Sequence, residues 1–304
     1  MPPISSDVLI QYQELKDNPY SRKVRRQILI GGKAAPGYFL AKQVIRLIDL
    51  MSKKIALDAN VSAQLRLIFL ENYNATRAEV VIPAADLSEQ ISCAGMEASG
   101  TGNMKLAMNG ALTIGTEDGA NIEIHREVTD EWWPFSFGHT AEENRQMHKS
   151  GSYDPWDTYH KYPYVQKAVD ALKDHSLASN EEEHQLLLTI YRSLLEGPSR
   201  DNFFVLRDLP SYYEAQKKVE ELYAQPLVWA RYAIENIARM GYFSSDRSIN
   251  DYAKLVWGLL PCPVDKEELQ KVREQYSEHD KCRILSSSNG NSVSNEIKIK
   301  REIG

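Results

Sequence analysis

The amino-acid sequence predicts a parallel α/β fold over residues 1–125, followed by a mainly helical part over residues 126–277. Short apolar runs alternate with helical patterns in the first part, which is typical of a parallel sheet whose strands are connected by helices. Glycine-rich turns separate strands from helices there. Beyond Arg126 the apolar residues recur mainly at helical spacing.

The first predicted element is a short amphipathic helix from Asp7 to Asn18, which Pro19 ends. A strand over residues 27–30 follows, and the turn Gly31-Gly32-Lys33 leads into a second helix. The apolar face of this second helix consists of Leu40, Val44, Leu47, Ile48 and Met51. A strand, a glycine turn and a helix in this order predict the first unit of a parallel sheet.

Two further apolar runs predict buried strands, one over residues 65–70 and one over residues 111–115. The second run is followed by the turn 116–119 and by a short stretch of mixed polarity that ends at Ile124. The first 125 residues therefore resemble part of a doubly wound sheet.

Three apolar helix faces in the C-terminal part are predicted to pack as core. They are Tyr212, Ala215, Val219 and Leu222, then Ala230, Ala233, Ile234 and Ile237, and finally Ile249, Tyr252, Ala253 and Val256. Residues 278–304 are rich in Ser, Asn and charged side chains. Because they offer little apolar surface to offset the entropy of ordering, they are predicted to form a disordered tail.

Composition excludes some classes of function. The 304 residues carry a formal net charge of -6, so the chain offers no general attraction for nucleic acid or an anionic membrane. Its three cysteines, Cys93, Cys262 and Cys282, show neither disulfide nor metal spacing. No stretch has the length of a membrane span or the apolar core of a signal peptide. We therefore expect a soluble protein of the reducing cytoplasm.

The stretch from residue 97 to residue 124, EASGTGNMKLAMNGALTIGTEDGANIEI, carries the chemical information. Gly100-Thr101-Gly102 precedes a predicted helical turn at 103–108, and a glycine-rich entry to a helix presents unpaired N–H groups to an anion. The Thr101 hydroxyl adds a donor. Lys105 projects from the same turn, so its amine could reach an aldehyde on a phosphorylated ligand, as in pyridoxal phosphate sites.

Glu97 adds a carboxylate beside the backbone donors of Ser99 and Gly100. This combination can bind several hydroxyl groups of a sugar through charge-assisted hydrogen bonds. The same stretch could therefore serve a cofactor and a carbohydrate.

Spacing alone leaves other interpretations open. The pattern G-x-G-x-x-K lacks the third glycine of a dinucleotide fingerprint, because Lys105 occupies that place. Spacing favours a phosphate site and a structural glycine turn equally. Lys33 follows a strand, as a phosphate-binding lysine does, but the next residues lack the Ser or Thr of a P-loop. A nucleotide-binding domain that uses 31–33 or 100–102 remains an alternative.

Several other side chains receive structural interpretations. Asp118 and Asn121 are predicted to cap the helix that follows their turn, rather than to line a cleft. The seven histidines, among them His125, His139 and His148, show no metal-ligand spacing. The cluster of Trp132, Trp133 and Trp156 is predicted to cover the flank of a core rather than to stack on sugars.

The 97–124 stretch is similar, almost letter for letter, to the pyridoxal phosphate segment of glycogen and maltodextrin phosphorylases. Further stretches resemble their counterparts in this family in the same order; these are residues 28–38, 68–73, 81–92 and 241–258. The resemblance covers roughly residues 8–260. Glu117 departs from the family's usual apolar residue, which predicts a more exposed turn here.

The resemblance implies a fold and a set of site residues. The fold is the C-terminal Rossmann-like domain of a GT-B glycosyltransferase, incomplete at its N-terminus and followed by a mainly helical part. Lys105 matches the lysine in Schiff-base linkage with pyridoxal 5′-phosphate, Thr101 and Gly102 match groups that hold the cofactor phosphate, and Tyr73 matches an aromatic beside the cofactor. The glucosyl unit is held by residues that match Glu97, Ala98, Ser99 and Gly100.

The family transfers a terminal α-1,4-linked glucosyl unit of glycogen or maltodextrin to inorganic phosphate, with retention, and releases glucose 1-phosphate. The cofactor phosphate shuttles a proton to the substrate phosphate, so Lys105 is implied to be an anchor. No metal is implied, and the complete enzyme is expected to be a homodimer.

The family's basic segment and its larger N-terminal domain are absent from the 304 residues, so we expect the isolated chain to be inactive. A non-catalytic module that binds glucan or a partner is the alternative.

Overall fold

The computed structural model describes residues 3–22, 24–97 and 99–287. The strands are β1 (Arg26–Gly31), β2 (Leu65–Leu70), β3 (Leu87–Gln90), β4 (Leu112–Gly115) and β5 (Phe135–Ser136). The helices are α1 (Pro3–Asp17), α2 (Phe39–Leu57), α3 (Ala59–Ser62), α4 (Ala75–Val81), α5 (Gly102–Met108), α6 (Ala120–Val128), α7 (Ala141–Ser150), α8 (Pro155–Lys161), α9 (Pro163–Asp170), α10 (Glu181–Leu195), α11 (Val205–Tyr223), α12 (Pro226–Arg239), α13 (Ser245–Asp251) and α14 (Lys266–Ser287). Short 3-10 helices lie at Ile82–Ala84, Asp130–Trp132, His175–Leu177 and Met240–Phe243, and a π-helix at Tyr252–Trp257.

The chain divides into two compact units, residues 1–247 and residues 248–304. The first unit contains all five described strands, whereas the described part of the second is helical apart from its connecting residues. Within the described ranges, no helix combines the length and the apolar character needed to cross a membrane.

All strand pairs are parallel, as the sequence predicts. β1 pairs with β2 in one sheet, from Arg26 opposite Leu65 to Gly31 opposite Leu70. A second sheet has the order β3-β4-β5. The sequence predicts β1, β2 and β4 but misses β3 and β5. In the described part of the chain the strands form these two sheets instead of one doubly wound sheet. A cavity of 510 Å³, lined by residues of β1, β2 and β3, lies between them.

The main core of the first unit joins α1, α2, α10 and α11 to the strands. Val8, Leu9 and Leu15 of α1 are buried in it together with Leu47 and Ile48 of α2. This confirms the apolar face predicted for α2. Residues 4–12 of α1 are all buried, including the polar Asp7 and Gln11, so this part of α1 is a core helix instead of the predicted amphipathic one. α1 begins at Pro3, earlier than predicted.

The predicted packing of the C-terminal helix faces is right for α11 and wrong for α12. Tyr212, Ala215 and Val219 of α11 are buried in the main core. On α12, however, Ile234 is 65% exposed, and the buried residues are Trp229 and Asn236. The reason is that the large ring of Trp229 stacks on Phe135, while the Asn236 amide donates to two backbone carbonyls. These contacts rotate the predicted alanine and isoleucine face toward solvent.

The third predicted face belongs mainly to the second unit and is also exposed. Ile249, Tyr252 and Val256 are each more than half exposed, because no other described element of this unit covers the π-helix. α14 extends across residue 278, where the tail was predicted to begin. The remainder of that predicted tail, residues 288–304, lies outside the described residues.

The tryptophan cluster packs as predicted. Trp132 and Trp133 are buried in a second apolar cluster with Ile124, Val128 and Met240. Trp156 is partly buried against the main core. None of the three tryptophan rings is therefore presented as an open platform for a sugar.

Candidate functional site

The predicted site residues follow the carboxyl ends of parallel strands. The segment that we call the β3–α5 loop, residues 91–101, connects β3 to α5, and the β4–α6 turn, residues 116–119, connects β4 to α6. Because β3 and β4 are adjacent and parallel, the two connections lie at the same edge of the sheet. This edge is where ligands bind in open parallel α/β sheets.

Two hydrogen bonds fasten the β3–α5 loop to the beginning of α6. The Glu97 N–H donates to Asp118 Oδ2 at 2.8 Å, and the Ala120 N–H donates to the Ser99 carbonyl at 2.7 Å. Asp118 therefore supports the loop. The prediction that it caps α6 is wrong, because the N-cap of α6 is Gly119 and no side chain caps this helix.

Gly119 permits the close approach of the loop and the turn. Its backbone has φ +51° and ψ -143°, a combination that residues with a Cβ rarely adopt. A Cβ added at this position would lie 2.7 Å from the Ser99 carbonyl oxygen and 3.0 Å from Glu97 Cγ. Only glycine fits here without displacing the loop.

A buried pair of amide side chains joins α5 to α6. Asn103 and Asn121 are 2% and 4% exposed, and the Asn103 amide donates to Asn121 Oδ1 at 2.9 Å. The Asn121 amide donates in turn to the Thr116 carbonyl at 3.0 Å. Asn121 thus connects elements instead of capping α6, and the sequence analysis did not single out Asn103. The only signal in the sequence is a pair of asparagines inside short helices, where this residue type is disfavoured.

Thr101, Gly102 and Lys105 lie together at the beginning of α5, where the sequence predicts a phosphate site. Thr101 is the N-cap residue, and its side chain makes no capping hydrogen bond. Lys105 Nζ lies 3.5 Å from Thr101 Oγ1, and Lys105 is exposed. A Cβ added at Gly102 would meet no atom within 4 Å. A primary amine and a hydroxyl group thus lie side by side at an open helix terminus, an arrangement that can hold an oxyanion beside an amine.

The predicted sugar-binding residues lie just upstream of this terminus. Glu97 is exposed, and its Oε2 accepts a hydrogen bond from Ser92 Oγ at 2.7 Å. Ser99 is exposed and donates to the Gly100 carbonyl at 3.2 Å. Ala98 lies outside the described residues. The Glu97 carboxylate is therefore held from one side and can accept further hydrogen bonds from a bound hydroxyl group.

Tyr73 lies in the loop that follows β2, at the end of the other sheet. It packs against Gly31 at the end of β1, where a Cβ would lie 2.9 Å from Tyr73 Cγ. Between described residues, no hydrogen bond or ring contact joins Tyr73 to Lys105 or to the β3–α5 loop. The structure therefore brings Thr101, Gly102 and Lys105 together at α5 and places Glu97, Ser99 and Gly100 on the loop before it. Among described residues it shows no direct link from these groups to Tyr73.

Glu117 is less exposed than the sequence predicts, because its side chain makes several hydrogen bonds. Its Oε1 accepts hydrogen bonds from Trp133 Nε1 at 3.2 Å and Ser136 Oγ at 2.8 Å, and it lies 2.9 Å from His125 Nδ1. The His125 ring also stacks on Trp133. This network anchors the β4–α6 turn to α6 and to the residues around β5.

The cavity between the sheets is a separate feature. Lys33 and Cys93 line it, whereas none of the described residues from Glu97 to Lys105 does. Burial raises the pKa of the Cys93 thiol to about 12, so this cysteine is an unreactive thiol at neutral pH. The cavity is thus not the place where the predicted site chemistry is assembled.

Comparison with known proteins agrees with the resemblance of the 97–124 stretch. Residues 6–259 match the model of the carbohydrate phosphorylase family. The chain is 44% identical over 250 residues to the glycogen phosphorylase of Chlamydia pneumoniae. These aligned residues make up 82% of this chain and 30% of that protein. It is 43% identical over 263 residues to the glycogen phosphorylase of Synechocystis sp., with 86% of this chain and 30% of that protein covered.

Similarity extends to animal proteins. The muscle form of glycogen phosphorylase from Homo sapiens is 44% identical over 254 residues, which cover 84% of this chain and 29% of that protein. The chain thus aligns with less than a third of the length of each of these relatives. With the match over residues 6–259, these identities show that the chain belongs to the carbohydrate phosphorylase family.

Proposed function

We propose that this chain is the pyridoxal 5′-phosphate-binding portion of an α-glucan phosphorylase and that Lys105 holds the cofactor covalently through its aldehyde. The observation that carries the proposal is the arrangement at the beginning of α5. There Lys105 Nζ lies 3.5 Å from the Thr101 hydroxyl, which makes no capping hydrogen bond to the helix. Membership of the carbohydrate phosphorylase family supports it. The two groups fit the cofactor, because one molecule that carries an aldehyde and a phosphate needs an amine for the first and a hydrogen-bond donor for the second close to each other.

Each residue of the site has a role in the proposal. The Thr101 hydroxyl and the Gly102 N–H hold the cofactor phosphate, while the exposed Lys105 amine anchors the ring. When bound, the cofactor supplies a phosphate that exchanges a proton with the substrate phosphate. The carboxylate of Glu97 accepts hydrogen bonds from the glucosyl hydroxyl groups, and the backbone N–H groups of Ser99 and Gly100 donate to them. Tyr73 lies beside the cofactor in this assignment.

The supporting contacts position these groups. The Asp118 carboxylate fixes the backbone at Glu97, and the Asn103–Asn121 pair fixes α5 against α6. The backbone segments that carry the Lys105 amine and the Glu97 carboxylate are thereby joined to the same region, α6 and the turn before it. Preorganisation of this kind lowers the cost of assembling a crowded, charged transition state.

The proposed activity of the complete enzyme is phosphorolysis of terminal α-1,4-linked glucosyl units of glycogen or maltodextrin, giving glucose 1-phosphate. We place this enzyme in the cytoplasm as a homodimer. The 304 residues by themselves are proposed to bind the cofactor without turning over glucan, because they align with only about 30% of the length of glycogen phosphorylases.

Cofactor attachment is tested by incubating the chain with pyridoxal 5′-phosphate, reducing it with borohydride and mapping the adduct by peptide mass spectrometry. We expect the adduct on Lys105 and its loss in Lys105→Ala and Lys105→Arg. Lys149→Ala, an exposed lysine near the end of α7, serves as the matched control and should label like the unmodified chain. An adduct on another lysine, or labelling that persists in Lys105→Ala, would contradict the proposal.

The activity is tested by measuring glucose 1-phosphate released from glycogen and inorganic phosphate. We expect no release by the chain alone, and release when the remaining portion of a glycogen phosphorylase is supplied. Turnover by the chain alone would refute the proposed inactivity. Tight nucleotide binding without cofactor uptake would instead favour the nucleotide-binding alternative.

A further inference from the structure

Two histidines and a glutamate form a compact cluster far along the chain from α5. His175 lies in the 3-10 helix His175–Leu177, and Glu181 and His184 lie in the first turns of α10. One nitrogen or oxygen atom from each side chain lies within 4.8 Å of the others. The sequence shows no metal spacing here because His175 and His184 are brought together only by the turn before α10.

The ring of the buried member of the cluster is oriented by a hydrogen bond. His184 is 8% exposed, and its Nε2 lies 3.0 Å from the Lys173 carbonyl. Because a carbonyl oxygen can only accept, Nε2 is the donor and carries the proton. The lone pair of the neutral ring is therefore on Nδ1. A hydrogen bond of this type to the distal nitrogen is what orients histidines that bind metals.

The Nδ1 atom of His184 has an unused lone pair. It is buried and has no hydrogen-bond partner, although Glu181 Oε1 lies 3.9 Å away. An unsatisfied buried acceptor costs roughly 1–3 kcal/mol. While the ring is neutral, the Glu181 carboxylate cannot satisfy this nitrogen, because both groups are acceptors; a proton or a metal cation between the two atoms satisfies both.

The remaining ligands can adjust to a metal. His175 and Glu181 are exposed, and the His175 ring centroid lies 3.6 Å from that of His184. Ligand atoms of tetrahedral Zn²⁺ at about 2.0–2.1 Å from the metal are about 3.3 Å apart. The cluster must therefore contract by about 1.5 Å at most. His175 and Glu181 are the side chains free to rotate, and Glu181 Oε1 would exchange the hydrogen bond from Gln185 for the metal.

Local charge favours a cation. The first turn of α10 carries Glu181, Glu182 and Glu183, and Glu183 is the one that pairs with Arg46. The positive end of the α10 dipole, equivalent to about half a charge, is outweighed by the two remaining carboxylates. The ammonium group of Lys173 is paired with Asp170 at 2.8 Å.

From this geometry we propose that His175, Glu181 and His184 form a binding site for a divalent transition metal of the Zn²⁺ class. Two imidazole nitrogens and one carboxylate oxygen suit zinc, nickel or copper, whereas Mg²⁺ and Ca²⁺ prefer oxygen ligands. Three protein ligands leave a fourth position for water. Bound metal would fasten the 3-10 helix to α10, whose Leu187 and Ile190 are buried in the main core.

The test is isothermal titration of the complete, untagged chain with Zn²⁺ after treatment with a chelator. We expect one tight site per chain, with an affinity that falls at least about 10-fold in His175→Ala and in Glu181→Gln. Both altered residues are exposed, so folding is preserved. His160→Ala, an exposed histidine on α8, is the matched control and should retain the affinity. Mg²⁺ should not compete.

Zinc could instead bind a thiol, since Cys262 is free and exposed. Cys262→Ser should therefore bind Zn²⁺ as the unmodified chain does. Absence of stoichiometric binding, unchanged affinity in both His175→Ala and Glu181→Gln, or loss of binding in Cys262→Ser would each overturn the proposal. None of these outcomes depends on cofactor binding at Lys105.

Discussion

Replacing Gly119 by alanine should disrupt the contact between the β3–α5 loop and α6. Three costs follow from the structure. The backbone conformation at Gly119, φ +51° and ψ -143°, costs a residue with a Cβ about 1–3 kcal/mol. The added Cβ would lie 2.7 Å from the Ser99 carbonyl oxygen, and relieving such overpacking costs about 1–3 kcal/mol. The hydrogen bond from Ala120 to Ser99 would stretch or break, at a cost of about 1 kcal/mol.

These costs partly overlap, because moving the loop relieves the clash and breaks the hydrogen bond in one step. We therefore expect the free energy of unfolding to fall by roughly 3–5 kcal/mol in Gly119→Ala. Urea denaturation followed by tryptophan fluorescence measures this change, since Trp132 and Trp133 are buried in one cluster with Ile124 of α6. Borohydride trapping of pyridoxal phosphate should fall in the same variant.

Gly32→Ala is the matched control. A Cβ at Gly32 would meet no atom within 4 Å, so we expect a change below about 1 kcal/mol. If Gly119→Ala unfolds within about 1 kcal/mol of the unmodified chain and traps cofactor normally, then the close approach to Ser99 is not a constraint. The β4–α6 turn would then not require glycine at position 119.

Two further substitutions test the buried polar groups. Burial raises the pKa of Asp7 to about 7, against about 3.9 in an unfolded chain. The folded state therefore binds this proton more tightly, and stability is lost as the pH rises from about 4 to 7. Because Asp7→Asn cannot ionise, it should raise the free energy of unfolding by about 4 kcal/mol at pH 8 and change it little below pH 4; an equal effect at both pH values in urea titrations would contradict this. Asn121→Leu leaves the Thr116 carbonyl and the Asn103 amide without their partner, so it should lower the free energy of unfolding by about 3 kcal/mol. Asn60 is exposed, and the control Asn60→Leu should change this energy by less than about 0.5 kcal/mol. Similar values for the two variants would show that the buried amide pair contributes nothing to stability.

Elements with a local apolar signal were predictable. β2 has the bounds that the sequence predicts, because LRLIFL combines a compact apolar run with buried Leu65 and Leu67. β3 was not predictable, because its sequence LSEQ is short and polar. Glu89 of β3 is partly buried, and its carboxylate accepts hydrogen bonds from Tyr212 and Gln216 of α11. Those partners lie more than 120 residues away, so no local pattern reveals the strand.

In the candidate site, too, features with a local sequence signal were predictable and contacts between distant residues were not. The beginning of α5 and the position of Lys105 on it follow from glycine and helix signals within a few residues of each other. The contact between Glu97 and Asp118 and the one between Asn103 and Asn121 depend on which strands are neighbours. A sequence reading assigned Asp118 and Asn121 to helix capping because capping is the commoner local role.

The face of α12 was predicted wrongly for a related reason. Periodicity finds an apolar stripe but does not weigh one large ring against several small side chains. Trp229 and Asn236 determine the orientation of the helix through Phe135 and the Trp132 carbonyl. Isoleucines on the opposite side then remain in contact with water.

The attachment of the β3–α5 loop to α6 has a thermodynamic consequence. A ligand that restricts the motion of α5 also restricts Glu97 and Ser99. The reason is that α5 is hydrogen-bonded to α6 through Asn121, and the backbone of Glu97 and Ser99 is hydrogen-bonded to residues 118 and 120. The loop then loses conformational entropy when the first ligand binds, so the binding of a second ligand carries a smaller entropic cost. Occupancy at the amine and occupancy at the carboxylate would thus reinforce each other without any change of shape.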